Sequence, residues 1–185
     1  MWGGVNPQTC LYQIVCVKLS AATGREVTMN KYVQQTESVF EKEEICYSEL
    51  EDNLLAVGFT CENERHVGFH LIFNEETDES CDDNNHMQIY ACIDNANVRN
   101  VYNQALVLCN DLNREYRWAK FCIDNEYDIT CEADAILGED NAGKQCHELM
   151  MRLMHIINTV YPRINQLIEF GAGAGRASAP TAMVS

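Results

Sequence analysis

The run DNEYDITCE at residues 124–132 sets carboxylates at Asp124, Glu126, Asp128 and Glu132. Acids at alternate positions are how a calcium loop presents its oxygen ligands. Such a loop also needs a glycine at its sixth position and a glutamate at its twelfth. Here Ile129 and Ala135 stand there, so the run reads as a β-hairpin turn. Asp and Asn bond to nearby backbone and tolerate turn geometry. His66 and His70 have an i, i+4 spacing, which suits a metal only on a helix. Along a strand, four residues separate them by roughly 13 Å, too far for one ion. Cys146 and His147 are adjacent and point in different directions on a helix.

A cysteine nucleophile needs a paired base and a raised thiolate fraction. No cysteine has that company in the sequence, and only the fold can bring His147 or His155 to one. GAGAG at residues 171–175 follows the last helix pattern and precedes none, so it lacks the strand–turn–helix setting of a phosphate loop. These readings lead to no catalytic residue, no cofactor and no metal. Two groups suit contact with another protein. Met150, Met151 and Met154 either fill the core or line an adaptable groove. Arg114, Arg117 and Trp118 either finish a helix and bury the indole under the hairpin, or meet carboxylates of a partner or of residues 37–52.

Composition narrows the partners. There are 28 acids against 13 bases, a net charge of −15. Nucleic acid and anionic membrane repel such a chain, whereas a basic protein is attracted. Residues 37–52 and the loop EETDESCDD at 75–83 hold nearly half of the acids; they read as solvated faces or as a docking surface. Ten cysteines occur with no CxxC, and most lie in apolar runs. That is the usage of reduced, buried thiols in a cytoplasmic compartment. No stretch is long enough to span a membrane. At 185 residues, one domain can bury roughly 70% of its unfolded surface.

The elements follow from periodicity. Residues 31–55 read as a helix, with Val39, Phe40, Cys46, Tyr47, Leu50 and Leu54 on one side. FTCE (59–62) reads as a short strand and NERH (63–66) as a turn. VGFHLIF (67–73) and HMQIYACID (86–94) alternate, and the acidic loop between them makes an antiparallel pair. Asn97 can cap the next helix, whose stripe is Val98, Val101, Tyr102, Ala105, Leu108, Cys109 and Leu112. A hairpin follows, with Ala119, Phe121 and Ile123 facing as Ile129, Cys131 and Ala133 do. The last helix runs from about residue 142, and Pro162 should kink or briefly interrupt it. The division expected is an N-terminal extension at 1–30, a folded domain at 31–170 and a disordered small-residue tail at 171–185. Met29 directly precedes helix-like sequence, so residues 1–28 read either as an upstream extension or as a start chosen too early. Helices separated by antiparallel strands give an α+β fold of order α-β-β-β-α-β-β-α, helices packed on a sheet.

Three stretches resemble the YbjN family of small bacterial proteins. LVLCNDLNREYRWAKFCID is similar to the family's helix ending in asparagine and arginine, followed by a strand. DNEYDITCEAD is similar to its acidic turn and second strand, and HIINTVYPRI to its closing helix with tyrosine-proline-arginine. Residues 31–95 match in pattern only. The family's turn usually carries a glycine after its acids, where this chain has Tyr127 nearby. The resemblance implies the fold of the type III secretion chaperones and the role of a sensory transduction regulator without enzymatic activity. Those chaperones are acidic cytosolic homodimers that hold extended client segments. By that likeness Val98, Val101, Tyr102, Ala105 and Cys109 would supply a dimer interface. Arg114, Arg117 and Trp118 would meet a protein partner. Phe69, Leu71 and Phe73 would take a client on an open sheet face, or a client would add to an edge strand. The competing class is an enzyme or small-ligand sensor with a pocket between the sheet and the C-terminal helix.

Overall fold

The computed structural model describes residues 13–14, 30–61, 65–73 and 85–176. Strand β1 (Gln13–Ile14) precedes helix α1 (Lys31–Lys42), then strands β2 (Tyr47–Glu51), β3 (Leu54–Thr60), β4 (His66–Phe73) and β5 (His86–Asn97). A 3-10 turn (Arg99–Val101) leads into α2 (Tyr102–Glu115), the hairpin strands β6 (Lys120–Ile123) and β7 (Asp128–Ile136), and α3 (Ala142–Arg176). The fold is α+β. One antiparallel sheet runs β1-β3-β4-β5-β7-β6, with β2 also on β3. The expected pairing of residues 67–73 with 86–94 is present. The remaining residues of the expected extension at 1–28, the acidic loop at 75–83 and residues 177–185 lie outside the described residues.

Alternation decides which side of the sheet is covered. Val67, Phe69, Leu71 and Phe73 of β4 are buried, as are Met87, Ile89, Ala91 and Ile93 of β5 and Ile129, Cys131 and Ala133 of β7. In β3 the same face carries Leu55, Val57 and Phe59. Successive side chains of a strand point to opposite faces, so the continuous apolar set lands on one side, while Ile72 and Ile136 are left exposed on the other. There it meets Val33 and Phe40 of α1, Ala105, Cys109 and Leu112 of α2, and Met150, Leu153, Met154 and Ile157 of α3. Each fully buried Phe or Leu is worth about 1.5–3 kcal/mol. Met150 and Met154 are therefore core filler. Among the described residues the opposite face bears no helix.

The first helix is shorter than its amphipathic pattern predicts, and residues 47–60 are strands instead. The stop is a Schellman motif built without glycine. Glu44 takes φ 56°, its N–H donates to the Glu41 carbonyl (3.3 Å), and the Ile45 N–H donates to the Phe40 carbonyl (2.8 Å). Ile45 and Phe40 are both buried, the apolar contact that accompanies this cap. A glutamate in the left-handed position hides the stop from a reading that looks for glycine. The structure thus has one more strand between α1 and α2 than expected. At the other end, α3 continues unbroken through Pro162 to Arg176, so the supposed tail begins six residues too early. Gly171 is closed in by Val101. The thiols also depart from expectation at one point. Cys46 is disulfide-bonded, while Cys61, Cys92, Cys109, Cys122, Cys131 and Cys146 are free.

Helices α1 and α3 touch at Gly143. A Cβ there would overlap the backbone carbonyl of Gln35 and stand 2.9 Å from a Val39 methyl. The Gln35 side chain also finishes the start of α3, accepting from the Ala142 N–H (3.2 Å) and donating to the Glu139 carbonyl (2.6 Å). Alanine is the better helix former by about 1 kcal/mol, so any loss on Gly143→Ala must come from this contact. We expect Gly143→Ala to lower the unfolding free energy by about 1–3 kcal/mol in a denaturant titration. A gain in stability would show that the helices do not meet there.

Candidate functional site

The residues proposed for partner contact divide sharply. Phe69, Leu71 and Phe73 are fully buried. They face the helices, so the expectation of a client surface on that side of the sheet is corrected. Val98, Val101, Ala105 and Cys109 are buried too. Their stripe packs α2 inward, so these four cannot form a dimer interface. Tyr102 is exposed and lies edge-on to Tyr127, ring centroids 5.7 Å apart.

The second group lies where a partner can reach it. Trp118 is 78% exposed rather than buried under the hairpin. Arg114 and Arg117 are exposed, and among the described residues neither forms an ion pair. The expected alternative contact between them and residues 37–52 is absent there. Two further apolar side chains are exposed on α2, two turns before its end: Val107 at 63% and Leu106 at 45% exposure. Apolar residues off the helical stripe marked them in the sequence, yet the stripe itself drew the reading inward.

The uncovered face of the sheet carries a concavity of about 470 Å³. Its floor is a row of small residues in register: Gly68 opposite Cys92, and Cys92 opposite Thr130. A Cβ on Gly68 would meet nothing within 4 Å. The cavity opens where β5 leaves β7. Cys92 pairs with Thr130, but the next pair is Asn97 with Asp128, so residues 93–96 bulge outward around Asn95 at φ 58°. The rim holds Asp94, Asp124, Glu126 and Asp128, with His66 opposite. None of these four acids has a cationic partner among the described residues. Crowding by neighbours first, and then Asp124 and Asp128, push the Cys92 thiol above its usual value. Burial, then Cys92 and Asp124, push Tyr90 up to about 12. This cavity lies on the far side of the sheet from the C-terminal helix.

The acidic run that resembles a calcium loop is the hairpin turn that supports this rim. Asp124 Oδ1 accepts from the N–H groups of Glu126 and Asp128, both at 2.9 Å. The Tyr127 N–H donates to the Asp124 carbonyl (3.2 Å), and the Asp124 N–H to the Asp128 carbonyl (3.0 Å). This is a three-residue hairpin loop, which wants a left-handed residue after its turn. Tyr127 supplies it at φ 71°. Its ring is held by Tyr102 and lies 4.4 Å under the Arg99 guanidinium. His66 and His70 sit on the uncovered face, one beside Thr60 (3.0 Å) and the other stacked on Tyr90. Among the described residues no group of three or more His, Cys, Asp and Glu could hold a metal ion.

The thiols are set against nucleophilic use. Burial pushes Cys109 and Cys146 up to about 11 and, with Glu132 adding to it, Cys131 up to about 12. A nucleophilic thiol requires the opposite shift.

One antiparallel sheet, the described helices on a single face and an acid-rimmed opposite face define an open-faced α+β layer. Residues 79–166 match the YbjN family, described as "Putative bacterial sensory transduction regulator", and over this segment the chain is similar to that family. The match runs from before β5 into α3, so it takes in the hairpin, the acid rim and Trp118. No curated protein and no solved structure matches the chain.

Tyr127 yields a test of the rim. Alanine loses the ring contacts and keeps the left-handed strain, whereas glycine loses the contacts and the strain. Glycine in that conformation is favoured by about 1–2 kcal/mol. Tyr127→Gly is therefore expected to unfold at higher temperature than Tyr127→Ala. The reverse order would show that residue 127 is not left-handed.

Proposed function

We propose that this chain is a non-enzymatic regulator that acts by contact with protein, as a chaperone-like adaptor and a homodimer. The observation that carries the reading is Trp118, 78% exposed, next in sequence to the exposed Arg117 and four residues after the exposed Arg114, with Val107 and Leu106 bare on the preceding helix. Exposed apolar groups gathered on one surface mark interaction sites. Tryptophan and arginine are the residues that most often carry interface energy. In this reading the solvent side of α2 replaces its inward stripe as the dimer surface, and Arg114, Arg117 and Trp118 receive carboxylates of the protein partner.

Charge supports the choice of protein over nucleic acid or an anionic membrane. No described helix is long and apolar enough to cross a membrane. A cytoplasmic setting belongs to the reading and is favoured by the six free thiols; the disulfide at Cys46 calls for an oxidising step.

A second reading has its own observation, the four acids around the concavity with no described cation against them. A small cationic ligand would fit there. It would raise the melting temperature, and Asp128→Asn would reduce that rise.

Sedimentation at tens of micromolar tests the first reading. The wild type should be a dimer, and Val107→Asp should be a monomer with unchanged far-ultraviolet dichroism. A partner captured by the wild type should be lost from Trp118→Ala. A monomeric wild type together with an undiminished partner in Trp118→Ala would overturn the proposal.

A further inference from the structure

Strand β6 is the outermost strand of the sheet, beyond β7. Its register runs from Lys120 opposite Glu132 to Ile123 opposite Ile129. In an antiparallel pair the residues alternate between those that exchange hydrogen bonds and those whose peptide groups point away. The Asp124 N–H bonds across the turn to Asp128, so residues 122 and 120 face β7. The peptide groups of Phe121 and Ile123 then face outward. Outward groups on an edge strand are a template for another chain.

At Phe121 that template is already occupied. The Phe121 N–H donates to Asn113 Oδ1 (2.6 Å), and Asn113 Nδ2 donates to the Phe121 carbonyl (3.0 Å). One carboxamide thus accepts from and donates to the same residue, which is what a residue of an incoming strand would do. Asn113 belongs to α2, and Ala119 and Phe121 beside it are buried. The turn from α2 into β6 therefore fixes the amide against the edge.

We propose that Asn113 is a latch that closes the β6 edge, and that the strand it holds off is the β6 edge of a second copy of this chain. The second copy fits because two antiparallel β6 strands related by a two-fold axis present the same outward groups to each other. Such a contact uses the sheet edge and not the solvent side of α2. It is independent of the dimer surface proposed above, and it would add an association step to whatever state the wild type has.

Amide exchange and sedimentation of Asn113→Ala test the latch together. At concentrations too low for association, the Phe121 amide should exchange about tenfold faster than in the wild type, the effect of losing one hydrogen bond. The variant should also associate one step further than the wild type at tens of micromolar. Adding Ile123→Pro, which removes the other outward N–H, should return it to the wild-type state. If Asn113→Ala does not fold, Asn113→Ser serves, because its short side chain cannot bond both Phe121 groups and should show the same extra step. An unchanged Phe121 exchange rate overturns the proposal. So does faster exchange with the wild-type oligomeric state, or that state in a folded Asn113→Ser.

Discussion

The molecule depends on one constraint, that β3, β4, β5 and β7 turn their continuous buried apolar sets to the same face. Phe69 and Leu71 of β4 sit opposite Ala91 and Ile89 of β5, which in turn sit opposite Cys131 and Ala133 of β7. All of them are buried. A one-residue slip of any strand would turn its apolar set outward, so register and layering are fixed together. With one face apolar and the other not, the helices have a single place to go. The uncovered face is then free to carry Cys92, Tyr90, His70 and the acids of the rim.

What remains outside that core is shaped by backbone positions without the residue that usually marks them. Glu44, Asn95 and Tyr127 all take positive φ, and none is glycine. Each sits where an element must end or bend: the close of α1, the bulge of β5 and the turn of the hairpin. The cost of roughly 1–2 kcal/mol at each such residue is offset by nearby contacts, Ile45 on Phe40 in the first case and Arg99 over Tyr127 in the last. The two bends around Asn95 and Tyr127 are also what open the cavity. Its shape is therefore a consequence of strained backbone and not of large side chains lining a pocket.

The layered fold was legible where periodicity was clean. Residues 67–73 and 86–94 alternate without interruption, α2 keeps its stripe from Val101 to Leu112, and the turn at 124–128 has the residues a turn needs. The end of α1 was not legible, because a helical stripe that happens to extend through Leu50 looks the same whether or not the chain turns. The site was legible only in part. Arg114, Arg117 and Trp118 were visible as residue types, but exposure is a property of packing and could not be read from them. The two aspartates and the glutamate of the turn were seen, while Asp94 joins them only because the bulge of β5 carries it to the rim. Asn113 read as a helix terminus; its bond to Phe121 depends on how α2 returns to the sheet edge.

Free cysteines happen to sample both sides of the layer, since Cys92 and Cys122 point to the uncovered face while Cys131 and Cys146 lie under the helices. Timed alkylation of the native protein at neutral pH, read residue by residue by mass spectrometry, therefore examines the one-sided packing directly. Cys92 should be modified first and Cys122 next, with Cys131 and Cys146 protected until the protein unfolds. Modification of Cys131 as fast as Cys92 would mean that the sheet has no covered face, and the account of the fold and of both surfaces would be wrong.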